Sequence, residues 1–479
     1  MTMAAASTFL WAYGSIIVSW TIRLWALIAI PVKRPASEAR AWLLVFFILP
    51  VPALLLYWMI GRPEHSKNRK IRFGQIPSLI HNAALESGIL ADELGGKLKR
   101  DWEPTAALAG NLGQLPVLKG NVVQLISEYD EFNRSLIDDI NSASKHVHLM
   151  FYIFANDRTG DKVMSALEAA QARGVTCRVL FDSLGSFKHA KAVQTRLEEA
   201  NIAVQQALPL RRRWTSSRLD LRNHRKIAVF DGKVAYTGSQ NIVDSRVSKR
   251  MTNFEIMARV KGPAVSEFQS VFLADWFMET GRDASNTHPF SLAEPEGPSC
   301  AQVLPTGPDF VHGSIDLFFT QLFYHARRQV VVTTPYFIPN DSMIAAMKAA
   351  ALRGVHVTLI LSQKSDNLVV NLAQRSYYSE LLESGIEILL FRPGFLHAKH
   401  IRMDDEISVI GSSNLDLRSF ELNAEISLIC YGKKVARDFR PIEEYYRQNS
   451  EALSQDQWTG RSWTIKATEN IARLLSDLI

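Results

Sequence analysis

Cysteine is scarce, with three in 479 residues. Cys177, Cys300 and Cys430 are scattered and odd in number, which supports neither a disulfide framework nor a metal knuckle. Neither sign of charge dominates: 54 basic residues stand against 48 acidic ones, for a net charge of +6. That balance favours anionic partners, nucleic acid or acidic lipid, without choosing between them. Burial capacity is ample, since 47% of the residues are hydrophobic. At this length the chain is expected to divide into two or more domains.

What is present is a pattern stated twice. Residues 223–241 read NHRKIAVFDGKVAYTGSQN and residues 397–414 read HAKHIRMDDEISVIGSSN. Both fit H-x-K-x4-D-x6-G-S-x-N, with His224, Lys226, Asp231, Gly238, Ser239 and Asn241 in the first copy. His397, Lys399, Asp404, Gly411, Ser412 and Asn414 form the second. Alternate residues of an extended strand share a face, so each histidine points with its lysine. Asp231-Gly232 between two apolar runs signals a hairpin that returns the G-S-x-N segment beside the histidine. Imidazole, ammonium, hydroxyl and carboxamide then converge on one side, a set suited to a phosphoryl group. A histidine there can attack phosphorus or exchange a proton with an alcohol. The catalytic set is therefore His224, Lys226, Asp231, His397, Lys399 and Asp404, with Ser239, Asn241, Ser412 and Asn414 as phosphate ligands. Asp231 and Asp404 each open a turn away from their histidine, which leaves a structural role open to them. Glu255 and Glu425 stand in N-x-E settings after the motifs and are expected to accept the second imidazole N–H. A metal is set aside, because a lysine in each copy repels cations and no Cys/His ligand spacing occurs.

Two apolar stretches, 8–30 and 41–60, each approach the roughly 20 residues a membrane-spanning helix needs. The expectation is a transmembrane hairpin over 1–60, with Pro50 and Pro52 as tolerated kinks and Arg23 snorkelling. A signal peptide is the alternative for the first stretch, but it lacks a basic n-region. Lys33, Arg34 and Arg40 in the loop are outnumbered by Arg62, Lys67, Arg69, Lys70 and Arg72 after it. The positive-inside rule thus puts the body on the cytoplasmic side. A mixed connector over 61–110 leads to two halves, 111–295 and 296–479. Each reads helix, strand, helix, strand: 132–140, 147–154, 159–173 and 174–181, then 315–326, 330–338, 342–353 and 354–361. Arg173-Gly174 and Arg353-Gly354 mark the shared register of an internal duplication. This alternation implies α/β layering, and the Pro/Gly-rich segment 292–309 reads as the link. With one histidine per half, the site must lie where the halves meet. Arg211, Arg212, Arg213, Arg218 and Arg222 form a charge run before the first histidine, a candidate headgroup contact. The C-terminal IARLLSDLI is amphipathic and is expected to pack on the body.

The doubled motif with its G-S-x-N extension resembles the phospholipase D superfamily. PYFIP at 335–339, NLDLRSFELNAE at 414–425 and the tail ENIARLLSDLI are similar to the bacterial cardiolipin synthases, a likeness that spans essentially the whole chain. The resemblance implies two pseudo-twofold-related α/β/α sandwich halves behind the membrane hairpin, and a multi-pass protein of the bacterial inner membrane. It implies transfer of a phosphatidyl group from one phosphatidylglycerol to another, giving cardiolipin and glycerol without metal, nucleotide or other cofactor. His224 would be nucleophile and His397 acid/base, an assignment that pseudo-symmetry leaves reversible. The implied partners are anionic phospholipids and a bilayer, not nucleic acid. A hydrolytic phospholipase D, a nucleic-acid phosphodiesterase and a non-enzymatic membrane scaffold are the rival classes. The second substrate and the oligomeric state are not legible.

Overall fold

The computed structural model describes residues 3–32, 34, 36–61, 69, 71–76, 98–209, 220–248, 251–282, 293–310 and 315–474. Arg211, Arg212, Arg213 and Arg218 lie outside the described residues, as do Lys33, Arg62, Lys67, Lys70 and the last five residues. The chain separates into one unit of residues 1–70 and 210–221 and a second of 71–209 and 222–479.

The first unit corrects the membrane expectation. Helix α1 spans Met3–Ala29, α2 spans Ala36–Ile48 and α3 spans Pro50–Leu56. Among the described residues no helix is long and apolar enough to cross a membrane. The physical reasons are local. Leu49 has φ −132° and ψ 74° ahead of Pro50, so the second apolar stretch is split, and the 13 residues of α2 reach only about 20 Å. In α1 the apolar run is broken by Ser15, Ser19, Thr21 and Arg23. The Arg23 guanidinium donates to the Phe47 carbonyl at 3.1 and 3.2 Å. Instead of spanning, these helices close on an aromatic cluster in which Tyr57 meets Trp25, Trp42 and Phe46 edge-on. The multi-pass inner-membrane placement fails with the hairpin.

Among the described residues the second unit is built on a 16-stranded sheet, in which two short strands, Arg222–Asn223 and Ser450–Ala452, join fourteen longer ones. Its first half supplies β1 (Leu118–Ile126), β2 (His146–Phe151), β3 (Thr176–Asp182), β4 (Ala203–Ala207), β5 (Ile227–Phe230), β6 (Val234–Gly238) and β7 (Met257–Lys261). Its second half supplies β8 (Ser299–Thr306), β9 (Gln329–Thr334), β10 (His356–Ser362), β11 (Glu387–Phe391), β12 (His400–Met403), β13 (Ile407–Gly411) and β14 (Asn423–Tyr431). Across the sheet the order runs β11-β10-β9-β12-β13-β14-β8, then β1-β7-β6-β5-β2-β3-β4. Read outward from the β1–β8 seam, the two halves have the same order. In each, the outer strands β2, β3, β4 and β9, β10, β11 are parallel, while the hairpins β5–β6 and β12–β13 are antiparallel. The parallel strands β2, β3 and β9 are buried almost throughout, which explains runs such as VHLMF without polar alternation, whereas the edge strand β4 is partly exposed.

The expected helices stand within a few residues of their places, at Tyr129–Ser142, Arg158–Ala172, Ile315–His325 and Asp341–Leu352. Two features of organisation differ from expectation. The stretch read as a link contains β8, a buried strand at the centre of the sheet. Its Pro305 is accommodated because β8 bonds β1 only from Ser299 to Ala301, so at Pro305 no ladder needs an N–H on that side. The connector's helix Glu103–Gly113 precedes the first half in the chain yet buries Ala106, Ala109 and Leu112 with Phe318, Phe319 and Leu322 of the second. Trp102 Nε1 completes the attachment by donating to Glu406 Oε2 at 3.1 Å.

Candidate active site

Both motif hairpins turn at their aspartates. Asp231 and Gly232 have φ of 53° and 67°, and Asp404 and Asp405 of 50° and 56°. Two successive left-handed residues make the tight turn that suits right-twisted strands. The Asp231 carboxylate accepts from the backbone of Ser144, Lys145 and His146 and from the Ser144 hydroxyl, at 2.7–2.9 Å. Asp404 accepts from the backbone of Arg327, Arg328 and Gln329 at 2.8–2.9 Å. Each aspartate therefore pins the start of β2 or β9, at the end of the hairpin opposite its histidine. The structure does not bring Asp231 and Asp404 into the catalytic set.

The histidines lie just before β5 and β12, past the C-terminal ends of β2 and β9. The register places Ile227 beside Met150 and His400 beside Thr333. His224 Nδ1 lies 3.0 Å from both oxygens of Glu425, and His397 Nδ1 lies 2.8 and 2.9 Å from those of Glu255. The partners are exchanged: each imidazole is oriented by a carboxylate of the other half. Nδ1 donating to carboxylate leaves Nε2 as the atom able to take or give a bond. The exchange is enforced by backbone, since His224 N donates to the Ala424 carbonyl and His397 N to the Phe254 carbonyl. Arg225 adds a clamp, donating to the carbonyls of Glu425 and Thr306 and to the Asp275 carboxylate. Nothing in the N-x-E spacing distinguishes a partner in the same half from one across the seam.

Lys226 and Lys399 are almost completely buried, and each Nζ donates to its own histidine's carbonyl at 2.7 Å. Burial pushes Lys226 down to about 8, against the pull of Glu425 and Glu255. Burial pushes Lys399 down to about 7, helped by the Lys226 charge and opposed by Glu255 and Glu425. Burial likewise takes His224 down to about 4, with Glu425 opposing and Lys226 and Lys399 assisting. His397 moves the same way for the same reasons, with Glu255, Lys399 and Lys226 as its charged neighbours. Burial alone would raise the two glutamates, but the facing histidines and lysines outweigh it and hold both below the usual carboxylate range. The centre is an enclosed nest in which two lysines and two imidazoles face two ionised carboxylates.

The G-S-x-N residues divide. Ser412 donates to Glu425, and its hydroxyl also meets Ile426 N at 3.0 Å. Ser239 Oγ engages the Ile256 backbone at 2.9 and 3.1 Å and helps lower Glu255. Both serines thus hold the carboxylate layer, not a phosphate. Asn241 Oδ1 accepts from Ile153 N at 3.0 Å, which leaves its Nδ2 without a protein partner among the described residues. Asn414 Nδ2 instead reaches Asp416 Oδ2 at 3.1 Å. Among the described residues Asn241 therefore keeps both N–H bonds of its carboxamide, whereas Asn414 gives one of its two to Asp416. Aromatic neighbours, which the motif does not announce, wall the site. The Tyr152 ring meets His224 edge-on at 4.9 Å and Phe395 lies 5.5 Å from His397. No group of His, Cys, Asp and Glu side chains able to hold a metal occurs among the described residues.

The arrangement agrees with what the chain is similar to. The family described as "Cardiolipin synthase, PLD-like domain" matches residues 136–276 and 319–445, one segment in each half. Cardiolipin synthase A of Pectobacterium carotovorum subsp. carotovorum (strain PC1) is 33% identical over 490 residues, covering 97% of this chain and 99% of that protein. The cardiolipin synthase A of Proteus mirabilis (strain HI4320) is 32% identical over 461 residues, covering 93% and 94%. Among solved structures, the phosphatidylserine synthase of Haemophilus influenzae Rd KW20 superposes with a TM-score of 0.58 at 15% identity, over 78% of this chain and 100% of that one. That identity speaks for the fold alone. On the matched halves and the full-length relatives, the chain belongs to the cardiolipin synthase family of PLD-like proteins, within the phospholipase D superfamily.

Proposed function

We propose that this chain is a phosphatidyltransferase that joins two phosphatidylglycerol molecules into cardiolipin and releases glycerol. The observation that carries it is the pair of imidazoles, each fixed through Nδ1 by a carboxylate of the opposite half and set beside two buried lysines. A phosphodiester entering that nest adds a negative charge beside the buried lysines and so favours the protonated forms of Lys226 and Lys399. The bound phosphodiester also favours a protonated His397 facing Glu255. As His224 Nε2 attacks phosphorus and the P–O bond to glycerol breaks, the His397 imidazolium delivers its Nε2 proton to the departing oxygen. The phosphatidyl-histidine then passes its group to the hydroxyl of a second phosphatidylglycerol, whose proton returns to His397. One ester bond is exchanged for another, so the balance needs no metal, nucleotide or redox partner. Lys226, Lys399 and the unspent Asn241 Nδ2 face the non-bridging oxygens, where charge gathers in the transition state.

The choice of nucleophile rests on the difference between the glutamates. The imidazole that attacks becomes cationic for the life of the intermediate and needs the firmer counter-charge. Glu425 has that support: besides His224 it accepts from Ser412, from Ser419 at 3.1 Å and from Asn423 at 3.3 Å. Glu255 has Asn253 at 3.4 Å and Ser239. The test is incubation of the purified chain with phosphatidylglycerol alone, following products by mass spectrometry. Cardiolipin with matching glycerol, absent from His224→Ala, is the expected outcome. Phosphatidic acid without cardiolipin would make the chain a hydrolase.

A further inference from the structure

The loops that follow β3 and β10 occupy the same place in the two halves, at the strand ends where the histidines lie. Both loops expose large apolar side chains. In the first, Leu184 is 44% and Phe187 67% exposed; at the end of the second, Leu368, 73% exposed, and Val369, 37%, open the helix Leu368–Arg375 that the loop leads into. Lysines flank them, with Lys188, Lys191 and Lys364 exposed. Duplicated placement argues against chance, since a single exposed leucine needs no explanation.

Each loop is also wired to its histidine through an aromatic ring. Ser186 Oγ donates to the Tyr152 carbonyl at 3.2 Å and accepts from Phe154 N at 3.0 Å, and the Tyr152 ring abuts His224. A side chain at Gly185 would collide with that ring, so the loop lies flush on it. Opposite, Asp366 accepts from the Tyr336 hydroxyl at 2.7 and 2.8 Å. Tyr336 packs on Phe395, and Phe395 on His397. Lys364 Nζ fastens the same loop to the Pro393 carbonyl at 3.2 Å.

We infer that these loops form a two-pronged docking rim that seats the site against an anionic phospholipid surface. Leu184, Phe187, Leu368 and Val369 enter the acyl layer, and Lys188, Lys191 and Lys364 meet the phosphates. The inference rests on the phospholipid reading above and says how substrate reaches a buried centre: the lipid rises between the prongs, its tails remaining among their apolar side chains. A protein partner is disfavoured because the prongs belong to separate halves and flank the site, so a covering protein would occlude it.

An environment-sensitive fluorophore on Phe187→Cys, and separately on Leu368→Cys, tests the surface, with labelled wild type as blank for Cys300. Leu352→Cys is the control, at an equally exposed leucine (76%) on the opposite end of the strands. Vesicles of phosphatidylcholine with phosphatidylglycerol are expected to blue-shift the two rim labels and not the control. No shift at either rim position would overturn the inference. So would a lipid-free shift that grows with protein concentration as the mass doubles, which would give the rim to a second copy. Turnover separates this surface from the reaction itself. A variant carrying Leu184→Ser, Phe187→Ser, Leu368→Ser and Val369→Ser should lose on the order of tenfold on vesicles and keep its rate on monomeric short-chain phosphatidylglycerol. Rim shifts with no cardiolipin from either substrate form would uphold the surface and sink the transferase reading. Cardiolipin formation with silent labels would do the reverse.

Discussion

The two halves of the sheet carry one strand order but treat their histidines differently. His224 faces a glutamate met by three further side-chain donors and lies against a tyrosine. His397 faces a glutamate with a sparser set of donors and lies against a phenylalanine. Asn241 keeps both N–H bonds of its carboxamide while Asn414 gives one of its two to Asp416. Duplication therefore supplies the frame, and small unequal contacts assign unequal work. In the proposed mechanism one histidine holds a covalent bond and a charge, and the other moves a proton.

Breaking the comparison outright calls for removing each histidine. His224→Ala and His397→Ala are each expected to lower turnover by about 10³-fold or more, so steady-state rates will not tell them apart. Rapid quenching with radiolabelled phosphatidylglycerol will. His397→Ala should still form some labelled protein, because the nucleophile is intact, whereas His224→Ala should form none. Label on His224→Ala alone would reverse the assignment.

The glutamates sharpen the contrast at smaller amplitude. Glu425→Gln removes the firmer counter-charge and should lower turnover roughly 10²-fold, with Glu255→Gln costing about tenfold. KM should rise as well, since each carboxylate also supports the lysine charge that meets the phosphate. An equal loss in the two variants would mean that the extra donors on Glu425 serve folding alone.

Acidity distinguishes the lysines. Lys399 is held at about 7 and Lys226 at about 8, both as ammonium groups buried without full compensation. In the free enzyme the phosphate-binding charge is present below these values and is lost as pH rises through them. The ratio kcat/KM should thus fall through pH 7 to 8, while kcat, measured with phosphate bound, holds to higher pH. Lys399→Arg, whose guanidinium does not titrate, should move the fall upward by about one unit, toward the Lys226 value. An unmoved profile would place the titration elsewhere.

Much of this frame is legible in the sequence because the duplicated motif fixes spacing and face together. Asp231-Gly232 announces its hairpin, and the runs at 147–154 and 330–338 announce buried strands. The exchange of glutamates is not legible, since it depends on the seam between β1 and β8, and that seam is set by a strand whose Pro305 and neighbouring Pro/Gly residues mimic a linker. The apolar N-terminal stretches mislead in the opposite direction. Composition suggests two spans, but Pro50 divides the second, and Arg23 turns inward to the Phe47 carbonyl. Ser239 and Ser412 show a subtler limit: a motif records that a residue is needed, not whether it touches substrate or the group behind it.

The motif aspartates give the smallest and most discriminating expectation. Asn tolerates the left-handed backbone at these turns, so Asp231→Asn and Asp404→Asn change the acceptor and not the fold of the hairpin. Each loses the carboxylate that gathers three backbone N–H groups at the start of β2 or β9, which should cost about 1–2 kcal/mol of stability. The rate per folded molecule should stay within twofold. For Asp231 the pH dependence provides a second check. Burial would raise its pKa, but the N–H groups of Ser144, His146 and Lys145 outweigh that and lower it. Its stabilisation is thus complete above the unfolded value near 4 and fades as pH falls through the lower folded value. The stability gap between wild type and Asp231→Asn, measured by denaturant unfolding, should be full at pH 7 and shrink below pH 4. A large fall in rate with an unchanged midpoint would instead return these aspartates to the chemistry.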